Sequence, residues 1–259
     1  MPTNIIMHGA AGRMGQRILS LAAEDSDAFT IVGGVDKQAG SLRDIGVPSD
    51  APLLEAAPSE AGAVVIDFSH ASVTPGLIAH CRAAKMPLVI GTTGIGLDEQ
   101  QALLAEAKAD IPILWAPNMA IGVNVVFQIA AQIAQTLGLD YDIEVVEAHH
   151  HHKVDAPSGT AFGITDAICE ATGRTRADLV HGREGHTGAR KRGEIGVHAL
   201  RMGDVVGDHS AYFVGNGERI VLQHVAHTRD IFARGALRAA AFVGAQQPGV
   251  YTMKDVLGL

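Results

Sequence analysis

Short apolar runs alternate with amphipathic stretches through the first half of the chain. Residues 4–8, 30–35, 63–68, 87–91 and 111–115 are brief, apolar and bounded by Gly, Pro or Asp, which predicts buried strands. Residues 13–23 carry Met14, Ile18, Leu21 and Ala22 on one helical face. Residues 97–109 open with Asp98 and Glu99 in a first turn, where negative charge favours a helix start. Strands alternating with helices in this way predict a parallel sheet covered by helices on both faces.

After about residue 118 the pattern changes. Residues 122–137 place Val126, Ile129, Ala130, Ile133 and Leu137 at helical spacing. Residues 143–148 read as a strand, and about 158–171 as a helix that Gly173 would end. Residues 195–226 divide into three strands at Gly203-Asp204 and Asn216-Gly217, an antiparallel or mixed sheet with few covering helices. Residues 230–245 are strongly helical and are expected to return to the first sheet. The expected fold class is α/β: a Rossmann-type parallel-sheet domain plus a second α+β domain with a mixed or antiparallel sheet. The first is expected to span residues 1–119, completed by 229–259, and the second 120–228.

Composition narrows the functional classes. Apolar residues make up 47% of 259, enough for a sizeable core. Lys plus Arg number 20 against 28 Asp plus Glu, a formal charge of −8, which argues against a nucleic-acid partner. Two cysteines, Cys81 and Cys169, cannot build a disulfide framework. No Lys or Arg precedes the first apolar run, Ile5-Ile6-Met7, unlike a secretory leader. The longest apolar stretch, 121–139, is interrupted by Asn124, Gln128 and Gln132, so no bilayer span and no membrane partner are expected. These readings predict a cytoplasmic protein.

Glycine and histidine, at 30 and 13 residues, cluster where chemistry is expected. His8-Gly9-Ala10-Ala11-Gly12-Arg13-Met14-Gly15 joins the first strand to the first helix. Glycines at 9, 12 and 15 permit a tight turn, close approach of a pyrophosphate and close helix–strand packing; the helix start adds N–H groups and positive partial charge. Asp36, closing the second strand, is placed to accept hydrogen bonds from adenosine ribose hydroxyls. It would repel a 2′-phosphate and so favours NADH. Lys37 and Arg13 could neutralise that phosphate, so NADPH is expected as well. Gly91-Thr92-Thr93-Gly94 and Ala116-Pro117-Asn118-Met119 follow later strands on the same edge, where an open parallel sheet binds its ligands.

The second cluster is Glu147-Ala148-His149-His150-His151-His152-Lys153-Val154-Asp155-Ala156-Pro157-Ser158-Gly159-Thr160-Ala161. An affinity tag belongs at a terminus, and this run is internal. Zinc would need converging ligands, whereas neighbours in an extended segment alternate, so His149 and His151 would oppose His150 and His152. The other reading is an anion-binding acid–base site. Imidazoles shuttle protons near neutrality, Lys153 adds charge and a proton, and the helix start at Ser158-Gly159-Thr160 suits a carboxylate.

HGAAGRMG, GTTG, APNMAIGVN and EAHHHHKVDAPSGTA together closely resemble the dihydrodipicolinate reductase family of lysine and diaminopimelate biosynthesis. The likeness runs from the first strand to Tyr251-Thr252-Met253-Lys254-Asp255-Val256-Leu257. Departures are Ala11, His151 where relatives often carry arginine, and Met202 where a second glycine is commoner. The resemblance implies NAD(P)H-dependent reduction of 4-hydroxy-tetrahydrodipicolinate, a small cyclic dicarboxylate, to tetrahydrodipicolinate. It implies that Gly9, Ala10, Ala11, Gly12, Arg13, Met14, Asp36, Gly91, Thr92, Thr93, Ala116, Pro117, Asn118 and Met119 hold the cofactor, with Lys37 relevant to a 2′-phosphate. His149 would be the acid–base residue and Lys153 a proton donor. His150, Gly159 and Thr160 would bind substrate carboxylates, with no metal. A homotetramer through the second sheet, about 195–226, and domain closure about hinges near Asn118-Met119 and His227-Thr228 are expected. A non-catalytic dinucleotide sensor would have no use for residues 149–153, and a metallohydrolase none for the glycine loop.

Overall fold

The computed structural model describes residues 1–259. It divides into two compact units, Met1–Ile121 with Asp230–Leu259, and Gly122–Arg229. In chain order come β1 (Thr3–His8), α1 (Arg13–Glu24), β2 (Phe29–Val35), β3 (Gly40–Ser41), β4 (Pro52–Leu54), β5 (Val64–Asp67), α2 (Thr74–Ala84), β6 (Leu88–Ile90), α3 (Leu97–Ala107) and β7 (Pro112–Trp115). Then follow α4 (Ile121–Leu137), β8 (Asp142–His149), α5 (Gly159–Thr172), β9 (Leu179–His181), β10 (Ile195–Arg201), β11 (Asp208–Val214) and β12 (Arg219–Val225). The chain returns to the first unit with α6 (Asp230–Val243), β13 (Gly249–Tyr251) and α7 (Met253–Leu257).

The first sheet runs β3-β4-β2-β1-β5-β6-β7-β13 and is parallel except for β3, which pairs antiparallel with β4. Period-two alternation sorts its side chains into two cores. Ile5, Met7, Val64 and Ile66 pack with Ile18 and Leu19 of α1 and Leu237 of α6. Ile6, Val65, Leu88 and Ile90 pack with Leu77, Ile78 and Cys81 of α2. Burial on both faces is why these strands read as continuous apolar runs rather than alternating ones. The strand order reverses direction between β1 and β5, the switch point where such sheets receive ligands.

The second sheet runs β12-β11-β8-β10-β9 and is mixed: β8 pairs parallel with β10 and antiparallel with β11. Val126, Ala130 and Ala134 of α4 and Ala161, Ile164 and Ile168 of α5 cover one face, against Ile143, Val145, Ala211 and Phe213. The segment Ile121–Asp140 meets the length and composition of a membrane span. In this fold its small-residue stripe is buried in that core. The expected α/β class therefore holds, with a parallel sheet and a mixed one. Helix α2, the short strands β3, β4, β9 and β13, and helix α7 are elements that the hydrophobic pattern did not single out.

Candidate active site

The glycine loop forms because two residues tolerate what no side chain would. Gly9 adopts φ +85°, and a Cβ on it would lie 2.6 Å from the Phe68 carbonyl oxygen. A Cβ on Gly15 would lie 2.1 Å from the Gly9 carbonyl oxygen, so α1 can pack against the strand end only as glycine. Helix α1 starts at Gly12 with no side-chain cap and no acidic residue in its first turn. Its uncapped N–H groups are suited to phosphate. Beside them lies a cleft of about 750 Å³ lined by Gly9, Ala11, Gly12, Asp36, Lys37 and Phe68, among others. That size suits a cofactor. The Asp36 carboxylate accepts from Ala11 N–H and Lys37 N–H, both at 2.8 Å, and so ties the loop to the end of β2. These residues fit a dinucleotide.

Beneath the cleft lies a charge that the sequence did not reveal. Asp67 is fully buried at the end of β5, yet its carboxylate pairs with His8 Nδ1 (2.9 Å) and accepts from Ser69 Oγ (2.5 Å), Thr74 Oγ1 (2.9 Å) and Thr92 Oγ1 (2.9 Å). Burial pushes its pKa up, but the His8, Ser69 and Thr92 contacts outweigh this and hold it below the ordinary carboxylate value. Thr92 also accepts from Ser69 N–H, and its carbonyl accepts from Trp115 Nε1–H at 3.0 Å. Thr92 thus anchors the GTTG loop, leaving the exposed Thr93 as its outward hydroxyl.

In the second unit, β8 ends at His149 and the chain turns at His151-His152. The expected alternation of four histidines therefore fails, because the segment is not extended beyond His149. His151 and His152 are exposed with rings 3.9 Å apart, and His149 is buried. No three His, Cys, Asp or Glu side chains converge as ligands to a metal ion. His149 Nδ1–H instead donates to Glu147 Oε2 at 2.6 Å. Glu147, fully buried, also accepts from Arg201 Nη1 and Nη2 (2.9 and 3.0 Å) and from Ser158 N–H (3.0 Å). Burial pushes the Glu147 pKa up; Arg201 and His149 outweigh it and hold the group ionised below its usual value.

Ser158 starts α5: its Oγ accepts from Ala161 N–H (3.1 Å) and pairs with His209 Nε2 (3.0 Å). His209 stands edge-on to the His149 ring at 5.1 Å, and burial, reinforced by His149, pushes its pKa down to about 3. Gly159 is exposed, and a Cβ there would meet nothing within 4 Å, so the start of α5 is open to an incoming anion. Lys153 is paired with Asp155 at 2.9 Å. The His150 pKa is lowered by burial, then by Arg229 and its basic neighbours.

Family models described as "Dihydrodipicolinate reductase, N-terminus" and "Dihydrodipicolinate reductase, C-terminus" match residues 3–119 and 122–257. The chain belongs to the dihydrodipicolinate reductase family. A 4-hydroxy-tetrahydrodipicolinate reductase of Myxococcus xanthus is 46% identical over 265 residues, 98% of this chain and 97% of the relative. One of Alkalilimnicola ehrlichii is 45% identical over 273 residues, covering 100% of each. Among solved structures, a dipicolinate-bound dihydrodipicolinate reductase from Paenisporosarcina shares the fold with TM-score 0.74 at 22% identity, over 97% of this chain and 98% of that one. An amine dehydrogenase from Mycobacterium smegmatis has TM-score 0.59 at 11% identity, over 98% of this chain and 95% of that one. As a dihydrodipicolinate reductase family member, the chain is an oxidoreductase of lysine and diaminopimelate biosynthesis with NAD(P)H as reductant.

Some residues expected at the cofactor site offer only main chain. Ala10 is fully buried and Met119 is 2% exposed, both inside the first core. Ala116 is buried as well, whereas Arg13, Lys37, Thr93 and Pro117 are exposed. Asn118 Oδ1 accepts from Ala120 N–H at 3.0 Å. Asp67, His8 and His209 are polar groups of these sites that sequence reasoning missed.

Proposed function

We propose that this chain reduces 4-hydroxy-tetrahydrodipicolinate to tetrahydrodipicolinate, using either NADH or NADPH, with His149 and Lys153 as its acid–base pair. The observation that carries the reading is the buried Glu147–His149 pair beside the open start of α5. It is an acid and an anion-binding helix end in one small region of the second unit. Loss of the ring's 4-hydroxyl as water leaves a conjugated, electron-poor double bond, and the chemistry that the cofactor would supply when bound is a hydride to one end of it. As negative charge develops toward the other end and the ring nitrogen, His149 and Lys153 stabilise it and supply the proton. Lys153 must exchange Asp155 for substrate; Asp155 is 57% exposed, so little holds the ion pair together. His150 and the main chain at Gly159 and Thr160 hold the substrate carboxylates.

In the first unit the uncapped α1 N-terminus binds the pyrophosphate, and Gly9, Ala10, Ala11, Gly12, Arg13 and Met14 form its loop. The Gly91-Thr92-Thr93 and Ala116-Pro117-Asn118-Met119 loops complete the cofactor site. Asp36 serves the ribose of NADH, while Lys37 and Arg13 accommodate the 2′-phosphate of NADPH. The second unit is also the assembly surface of a homotetramer. Leu200, Val214, Val221 and Val225 lie exposed on the sheet face opposite α4 and α5, apolar side chains on the face that this reading assigns to assembly. We place the enzyme in the cytoplasm, in keeping with the two buried thiols of Cys81 and Cys169.

The test is cofactor oxidation with the cyclic imine dicarboxylate, NADH and NADPH being run in parallel. Substrate-dependent oxidation of both is expected; oxidation of neither would sink the proposal.

A further inference from the structure

Glu147 takes no part in proton transfer in the chemistry proposed above, yet both its oxygens are engaged beside it. Its two oxygens meet four donors from three segments: His149 Nδ1 on its own strand, Arg201 Nη1 and Nη2 at the end of β10, and the Ser158 N–H before α5. We propose that Glu147 is a positioning residue: through one buried carboxylate it fixes the reactive tautomer of His149 and ties it to the helix start that receives the substrate carboxylate. The inference rests on the acid–base reading of His149.

The argument is one of donors and acceptors. An ionised carboxylate can only accept, so the proton shared at 2.6 Å belongs to His149 Nδ1, and Nε2 is the nitrogen free to exchange protons. That nitrogen faces Gly207, where a Cβ would lie 3.1 Å from it. The other charged or titratable groups around the ring are His209 on β11, Arg201 on β10, and His150 and Lys153 in the following turn. All of these are neutral or cationic, and Asp155, the anion paired with Lys153, is 57% exposed, so Glu147 is the buried anion of the group. The Arg201 guanidinium reaches further as well. Its Nη2 also donates to the Asp155 carbonyl (2.5 Å) and holds the Lys153–Asp155 turn against the same carboxylate.

The test is Glu147→Gln, which keeps the side-chain shape but removes the charge. We expect kcat to fall about 10²-fold with KM for NADPH unchanged, and the limb of the pH–rate profile that requires a protonated acid to move to lower pH. Near-normal kcat overturns the proposal. So does a fall in kcat with an unmoved profile, since that is what a merely structural role would produce. If the variant does not fold, ¹⁵N NMR of the histidines in the wild-type holoenzyme decides, with the His149 signal assigned by its loss in His149→Gln. Protonated Nδ1 is expected at every pH, with Nε2 bare in the neutral ring and protonated only in the acid form; a neutral ring with Nε2 protonated and Nδ1 bare overturns the proposal. The NMR result does not depend on turnover, so it separates failure of this inference from failure of the acid–base reading.

Discussion

His8 Nδ1 lies 2.9 Å from Asp67 Oδ1, and the two are register partners at the ends of neighbouring parallel strands. Those strands, β1 and β5, flank the switch point of the first sheet, so a buried anion sits directly under the glycine loop. The Asp67 carboxylate also fastens Thr92 and thereby the GTTG loop. In Asp67→Asn an amide would confront these hydroxyl and imidazole donors. We expect a stability loss of about 3 kcal/mol by urea unfolding, together with a raised KM for both cofactors. An unchanged unfolding midpoint would show that the network is dispensable.

Gly15→Ala places a methyl 2.1 Å from the Gly9 carbonyl oxygen, which is backbone and cannot swing away. Helix α1 must then lift from the strand end. A loss of about 2–3 kcal/mol is expected, with weaker binding of both nucleotides by calorimetry. Retention of wild-type affinity would contradict the packing argument.

Lys37 is exposed beside Asp36, and in the function we propose it bears on the 2′-phosphate alone. Lys37→Ala should weaken NADPH binding several-fold, leave NADH nearly unchanged, and flatten the salt dependence of NADPH affinity. Equal effects on both nucleotides would mean that the side chain does not read the 2′-phosphate.

Much of this architecture was legible locally. Gly9 and Gly15 mark their turn because backbone geometry demands it, and Ser158 and Gly173 bracket α5 with cap signals read directly from their residue types. The partnerships that tune the sites were not legible. His8 and Asp67 are 59 residues apart, and Glu147 and Arg201 are 54 apart. Such pairings leave no periodic trace, since they are made by the sheet rather than by either segment. Helix α2 escaped notice because Pro75 and Gly76 occupy its first turn, and β3 and β4 are too short to show alternation. The histidine run misled for a related reason: a turn after His149 replaces the strand that alternation assumes.

His209 is neutral when folded, its pKa pushed down to about 3 by burial, whereas an unfolded histidine titrates near ~6.5. Between those values the unfolded chain binds the extra proton. Its contribution is thus fully present above about pH 6.5 and is lost as pH falls toward about 3, at about 1.4 kcal/mol per unit. Urea midpoints of the wild type should drop between about pH 6.5 and about pH 5.5, and His209→Gln should flatten that drop. An equally steep fall in the variant would assign it to other groups.

The most direct measurement of the whole account is the steady-state rate of NADPH oxidation on the cyclic imine dicarboxylate by wild type, His149→Ala and Lys153→Ala. Substrate-dependent turnover in the wild type, reduced by about 10²-fold or more in each variant, is the predicted result. Turnover near the wild-type rate in both variants would contradict it, because the proton would then come from a group other than the pair that this fold presents.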